Sequence, residues 1–137
     1  AFPVMNVAMD ERALSDPRRG LMQIASEFAC FWSGPTAADF LRMVIMEGRR
    51  FPVLASRFDE VIQAPAMTVI SDYLAELARR GVLAVQEPET AACDFMETLD
   101  GRVLWKQVRA NSEPLAREEI EQIVERTVDA FLRSLRH

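Results

Sequence analysis

The sequence has very few of the residues that enzyme and metal sites need. Its 137 residues include one histidine, His137, at the end of the chain. A lone terminal histidine excludes Ser-His-Asp triads, HExxH zinc sites and Glu-x-x-His di-iron sites. The acidic residues Asp59, Glu60 and Asp94 have no histidine or lysine close by in sequence, and the 5 glycines form no phosphate-binding loop. We therefore expect no catalysis, no metal and no cofactor.

Cysteines and long apolar runs are also scarce. The two cysteines, Cys30 and Cys93, lack CxxC spacing, so we expect buried, inert thiols in a cytoplasmic protein. No run of about 18 apolar residues occurs, which predicts no membrane partner. Because 16 Lys and Arg stand against 21 Asp and Glu, the net charge is −5, and this chain alone should bind DNA poorly.

The positive signal is helical periodicity in a composition typical of one globular domain, 50% hydrophobic and 27% charged. Asp16-Pro17 predicts a helix start, with apolar residues at helical spacing to about Ser33. The helix that starts at Pro35 is apolar on nearly every side, which predicts a central, buried position. Further helices are predicted over about 52–63, 65–80, 88–108 and 114–136, with Gly81 left-handed after Arg80. The predicted fold is an all-α bundle of about six helices.

The last two predicted helices are apolar over unusually wide arcs, about 180° in the final one. Other helices of the same domain could cover both sides of each helix. We favour a homodimer in which these two helices pair with their copies as a four-helix bundle. The predicted interface residues are Leu104, Trp105, Ile120, Val124, Val128, Phe131 and Leu135.

Methionine and aromatic residues recur on five of the predicted helices. If those helices surround one centre, the residues could line an apolar cavity, because methionine adapts to irregular shapes and aromatic walls suit flat or cationic organic ligands. The alternative is that they fill a packed core, which is the commoner role of each such residue. The predicted ligand-binding residues are Phe28, Trp32, Met43, Met46, Phe58, Met67, Ile70, Phe95 and Met96.

Two stretches carry a family resemblance. EGRRFPVL at 47–54, followed by Phe58, resembles the E-x-x-R-F-P-x-L…F signature of the C-terminal domains of TetR-family transcriptional regulators, especially the AefR-like branch. RGVL at 80–83 and EPETAACDF at 87–95 are similar to that branch's R-G-x-L…D-P-x-x-A-A-x-x-F. The resemblance covers about 16–136.

The resemblance implies a domain that binds a small effector in a helical cavity and dimerises through its last two long helices. It further implies a repressor released by an apolar or aromatic effector, which would move a connector helix and change the separation of two DNA-reading heads. Operator DNA would then be bound only through an N-terminal helix-turn-helix domain that this chain lacks. We expect 1–15 to be the tail of the connector and 16–137 to be the ligand-binding and dimerisation domain. The competing hypothesis is a stand-alone homodimeric helical interaction module with no ligand.

Overall fold

The computed structural model describes residues 11–33, 35–105 and 115–135, and the regular structure within those ranges is helical. Helix α1 spans Glu11–Ser15 and helix α2 spans Pro17–Trp32. Asp16 caps α2, because its carboxylate accepts a hydrogen bond from the backbone N–H of Arg19 at 3.3 Å. Proline occupies the first turn, where its missing N–H costs nothing. The predicted helix start at Asp16-Pro17 is confirmed.

Helix α3, Pro35–Glu47, is far more exposed than its composition predicts. Ile45 is 50% exposed and Met46 is 77% exposed, and Phe40 and Met43 are exposed as well. The prediction of a central, buried helix is wrong here, since α3 packs mainly along one side, against α2 and the following helix. Its other sides form an apolar surface.

The next helical run is continuous where the sequence predicts a break at Pro65. Helix α4, Pro52–Phe58, leads into a π-helical segment, Asp59–Gln63, and then into helix α5, Ala64–Arg79. The backbone N–H of Ala64 bonds to the carbonyl of Asp59, five residues earlier. A wider π turn suits this position, because Pro65 cannot supply the usual helical N–H and its ring needs room. We call Asp59–Gln63 the π segment.

The end of α5 and the start of helix α6 follow the sequence prediction. Gly81 has φ of 71°, the left-handed conformation expected of a glycine after a helix. Helix α6 spans Pro88–Arg102. Val103 interrupts the helix and Leu104 and Trp105 are helical again, so the prediction of an unbroken helix is wrong at Val103, while its predicted end at Val108 lies outside the described residues. Gly101 in the last turn lowers helix propensity just before the break.

Helix α7 spans Arg117–Ser134 and packs between α2 and α6. Leu115 and Ala116 precede it in non-helical conformation, so the helix begins later than the predicted position 114, which itself lies outside the described residues. The N–H of Ala116 donates to the Glu119 carboxylate at 3.3 Å. Together α2, α5, α6 and α7 enclose the core, and α1 lies against α2 and α5.

The two cysteines do not lie in that core. Cys30 is exposed on α2, and Cys93 is half-buried on α6, where its thiol donates to the Glu97 carboxylate at 3.3 Å. The hydrogen bond to Glu97, more than burial, raises the pKa of the Cys93 thiol. The prediction of buried thiols is wrong for Cys30, and Cys93 keeps a protonated, unreactive thiol.

Candidate functional site

The structure divides the nine residues predicted to bind a ligand into a buried set and a surface set. The buried set, at most 2% exposed, comprises Phe28, Trp32, Ile70, Phe95 and Met96. The others lie nearer the surface: Phe58 and Met67 are half-buried, and Met43 and Met46 are exposed on α3.

Aromatic rings join the buried and surface sets at one end of the bundle. The Trp32 ring at the end of α2 lies 5.9 Å from that of Phe58, between centroids. Phe58 in turn stacks with Phe40 at 6.0 Å, and Phe31 meets Trp32 edge-on at 5.0 Å. We call Phe31, Trp32, Phe40 and Phe58 the aromatic cluster. It connects α2, α3 and α4, and three of its members retain accessible surface.

Two buried polar atoms on α2 have no hydrogen-bond partner among the described residues. One is Nε1 of Trp32, whose side chain is nearly fully buried. A buried indole N–H ordinarily donates to an acceptor, and leaving it without one costs about 1–3 kcal/mol. The other is Oε2 of Glu27, five residues earlier on the same helix. The aromatic cluster therefore contains one buried polar atom, Nε1 of Trp32, without a partner among the described residues.

A third such atom belongs to Asp100, a carboxyl that occupies a core position of α6. The buried residues of α6 are Ala92, Phe95, Met96, Leu99 and Asp100, and Oδ1 of Asp100 has no partner among the described residues. Burial raises the pKa of Asp100 to about 6, while a side-chain hydrogen bond with Gln63 lowers it and the nearby charge of Glu97 raises it. Gln63 is the last residue of the π segment.

The sequence prediction missed Asp100. A signal was available, since Asp100 follows Met96 by four residues and so lies on the same face of α6 as that apolar residue. A carboxylate inside an apolar helical stripe is unusual, because a buried charge is costly unless it is paired.

Asp100 and Trp32 each contact a residue of the continuous helical run formed by α4 and the π segment. Trp32 contacts Phe58 at the end of α4, and Asp100 bonds with Gln63, five residues further along. Two residues with buried polar atoms that have no partner among the described residues, Trp32 and Asp100, thus contact the same helical run.

The predicted interface residues are mostly covered within a single chain. Val124 and Val128 are fully buried, and Leu104, Ile120 and Phe131 are at most 9% exposed. Leu135 is half-buried and Trp105 is 40% exposed. Phe131 meets Phe95 edge-on at 5.0 Å, so one predicted interface residue contacts one predicted ligand residue.

A shallow groove of about 340 Å³ lies beside Phe131, between α6 and α7. Its lining comprises Asp94, Phe95, Thr98, Arg102, Thr127, Ala130, Phe131 and Ser134. Arg102 donates to the Thr127 hydroxyl across it at 3.0 Å. We call this the α6–α7 groove.

Neither a cluster of metal-ligand side chains nor a membrane-spanning helix occurs within the described part of the chain. Residues 11–33, 35–105 and 115–135 contain no group of three His, Cys, Asp or Glu side chains placed to hold a metal ion. Among the helices described, none is both long and apolar enough to cross a bilayer.

Comparison with known proteins assigns the fold and the family. Residues 19–135 match the family model of the AefR-like transcriptional repressor C-terminal domain. The chain belongs to this family. No curated protein matches the sequence. A crystal structure described as a TetR-family transcriptional regulator from Mesorhizobium loti MAFF303099 superposes with a TM-score of 0.83 at 20% identity.

That superposition covers 96% of this chain and 65% of the other chain. The AefR-like C-terminal domain therefore spans just under two thirds of the length of that regulator. At 20% identity the likeness shows a shared fold. The TetR-type C-terminal helical fold expected from the two sequence stretches is confirmed.

Proposed function

We propose that this AefR-like domain binds a small apolar or aromatic effector, forms a homodimer, and thereby controls a DNA-binding repressor. The observation that carries the effector part is the aromatic cluster, in which the buried Trp32 Nε1 has no hydrogen-bond partner among the described residues. A packed core leaves few polar atoms without a hydrogen bond. A ligand site needs a few polar groups that are free to bond to the ligand, set among apolar side chains.

The effector would lie against Trp32 and Phe58, with the π segment on one side, and we call this position the effector seat. π turns inside helices occur frequently at functional sites, and this one separates two rigid helices, α4 and α5. The exposed apolar side chains of α3, among them Met43 and Met46, lie on the same helix as Phe40 of the cluster and could close over a bound molecule.

Helix α5 offers a direct route from the effector seat to α1. It begins at the π segment, and further along it Tyr73 donates a hydrogen bond to the carbonyl of Ala13 at 2.5 Å. At its end Arg80 bonds to the Glu11 carboxylate at 3.3 Å. A displacement of α5 by the effector would therefore also move α1, the expected end of the connector helix. The effector can shift this equilibrium only by its difference in affinity for the two positions.

The dimer would form across the α6–α7 groove. Its small residues, Thr98, Ala130 and Ser134, let a second pair of helices approach closely, and Phe131 supplies an apolar edge. The fully buried Val124 and Val128 would support this face from beneath. A stable dimer needs roughly 1,600 Å² of buried surface, which two helices of this length can provide.

DNA recognition would belong to another part of the regulator. The domain spans 65% of the length of the structurally similar TetR-family chain, and we propose that a helix-turn-helix domain preceding α1 reads the operator. In a dimer, two such heads must reach half-sites about 34–36 Å apart, so a small movement of α1 is enough to weaken binding.

The effector part is tested by titrating the chain with neutral arylmethanols of increasing size. The probes are benzyl alcohol, 1-naphthylmethanol and 9-anthracenylmethanol, and heat is measured by calorimetry at pH 7.5. We expect saturable binding of at least one probe with one molecule per chain. Phe58→Ala should weaken it about tenfold or more, because a ring of the effector seat is lost.

The matched control is Phe51→Ala, an exposed ring outside the aromatic cluster. It should leave the affinity within about twofold. Absence of saturable binding by all three probes would contradict the effector part and favour a packed interaction module.

A further inference from the structure

Asp100 is the most anomalous residue of the buried core. It lies on α6 between Leu99 and the end of the helix, 8% exposed, and its Oδ1 has no partner among the described residues. The described groups that act on its carboxyl are the Gln63 amide and the Glu97 carboxylate, and neither is a cation. A carboxylate this buried requires compensation that one amide does not give.

The missing compensation is a hydrogen-bond donor, and a charged one fits best. At pH 7.5 a group with a pKa of about 6 is mostly ionised, so the protein then carries a buried negative charge. Charge-assisted hydrogen bonds are roughly twice as strong as neutral ones, and the gain is larger where water is excluded. Phe58, which contacts Trp32, precedes Gln63 by five residues on the same helical run, and the faces of aromatic rings attract cations.

We infer that the effector carries a cationic nitrogen, and that Asp100 and Gln63 receive this group while the aromatic cluster receives its apolar part. The inference rests on the proposed function, because it names the chemical class of the molecule bound at that site. Organic acids would be rejected, since Asp100 and Glu97 would repel a carboxylate there.

The test compares three molecules that share one ring system and differ in charge. These are 1-naphthylmethylamine, which is an ammonium at pH 7.5, the neutral 1-naphthylmethanol, and the anion 1-naphthoate. The same amine and alcohol pairs with benzyl and 9-anthracenylmethyl groups cover smaller and larger sites. Dissociation constants are measured by calorimetry on the chain, on Asp100→Asn, and on Asp72→Asn.

We expect the ammonium to bind about tenfold or more tightly than the alcohol, and the carboxylate more weakly than both. Asp100→Asn should remove the preference for the ammonium over the alcohol. Asp72 is an exposed carboxylate on α5, so its asparagine variant makes the same change of charge away from the site and should keep the preference.

The outcomes separate this inference from the proposed function. Equal binding of alcohol and ammonium would overturn the role of Asp100 while leaving an apolar effector site in place. A preference for the ammonium that survives in Asp100→Asn would assign it to another group and would also overturn the inference. No binding of any probe would overturn both. Equal binding of the ammonium and the alcohol to the unaltered chain would by itself overturn the inference, without any variant.

Discussion

Tyr73 on α5 reaches Ala13 on α1 because Gly20 has no side chain. The Tyr73 hydroxyl donates to the Ala13 carbonyl at 2.5 Å, and a Cβ on Gly20 would lie 1.9 Å from that hydroxyl. Burial raises the pKa of Tyr73 well above its usual range, so the hydroxyl stays protonated as a donor. Three elements, α1, α2 and α5, therefore meet at one hydrogen bond.

Gly20→Ala should destabilise the fold. The new methyl group would collide with the hydroxyl and with Cζ of Tyr73, 2.5 Å away, inside a closely packed region. Such overpacking costs about 1–3 kcal/mol, which exceeds the gain of about 0.5–1 kcal/mol that alanine brings to a helix. Urea denaturation measures the difference.

Gly101→Ala is the matched control for that change. Gly101 is also helical, but a Cβ there would meet no described atom within 4 Å outside its own helix backbone, so only the gain in helix propensity remains. We expect Gly101→Ala to be neutral or stabilising by up to about 1 kcal/mol. Equal effects of the two substitutions would contradict the close approach of Tyr73 to Gly20.

Asp100→Asn should stabilise the protein at neutral pH. The folded pKa of Asp100 is about 6 and exceeds the unfolded value of about 3.9. Between about pH 4 and 6 the native state therefore holds a proton that the unfolded state has released. Stability contributed by the protonated carboxyl is full below pH 4 and is lost as the pH rises from about 4 to 6. The loss amounts to about 2–3 kcal/mol once the pH is above 6.

The measurement is the free energy of unfolding of both proteins from pH 4 to 8. The advantage of Asp100→Asn over the unaltered chain should grow with pH across that window and then level off. Asp72→Asn, at an exposed carboxylate, should show no such growth. An advantage of Asp100→Asn that does not change between pH 4 and 8 would contradict a buried, uncompensated carboxylate.

Ala130→Arg tests the proposed dimer face. Ala130 lines the α6–α7 groove and is only half-buried in the single chain, so arginine there should leave the fold intact and block the approach of a partner. Sedimentation equilibrium should show a dimer for the unaltered chain and a folded monomer for the variant. Gln122→Arg adds the same charge at an exposed position of α7 outside the groove lining and should remain dimeric. Circular dichroism verifies folding, and a dimer that persists in Ala130→Arg would place the interface elsewhere.

The sequence predicts the helix starts at Pro17, Pro35, Pro52 and Pro88, because their signals are local, but not the continuous run through Pro65 or the start at Arg117. Asp16-Pro17 and Phe51-Pro52 begin helices, and Gly81 takes the left-handed conformation, since caps and proline act within one turn of the chain. The interruption of the helix at Val103 is harder to predict, because apolar residues continue beyond it.

Contacts between residues that are far apart in the chain cannot be predicted from such local signals. Arg18 is an example: it bonds to Asp129 on α7 at 2.9 Å, a partner 111 residues away in the chain. The exposure of α3 likewise depends on how few helices lie against it, which its own apolar pattern does not reveal. The aromatic cluster joins residues on three helices, and residue types alone do not show which rings meet.

A molecule bound beside Trp32 and Phe58 should change the environment of α1 through α5. Hydrogen exchange by mass spectrometry, with and without a saturating amount of the tightest-binding naphthyl or anthracenyl probe, measures this coupling. We predict altered exchange at the effector seat and also in Glu11–Ser15, and the second change should shrink in Tyr73→Phe, which lacks the bond to Ala13. Saturable binding that alters exchange at the effector seat alone, with Glu11–Ser15 unchanged, would contradict the proposed coupling.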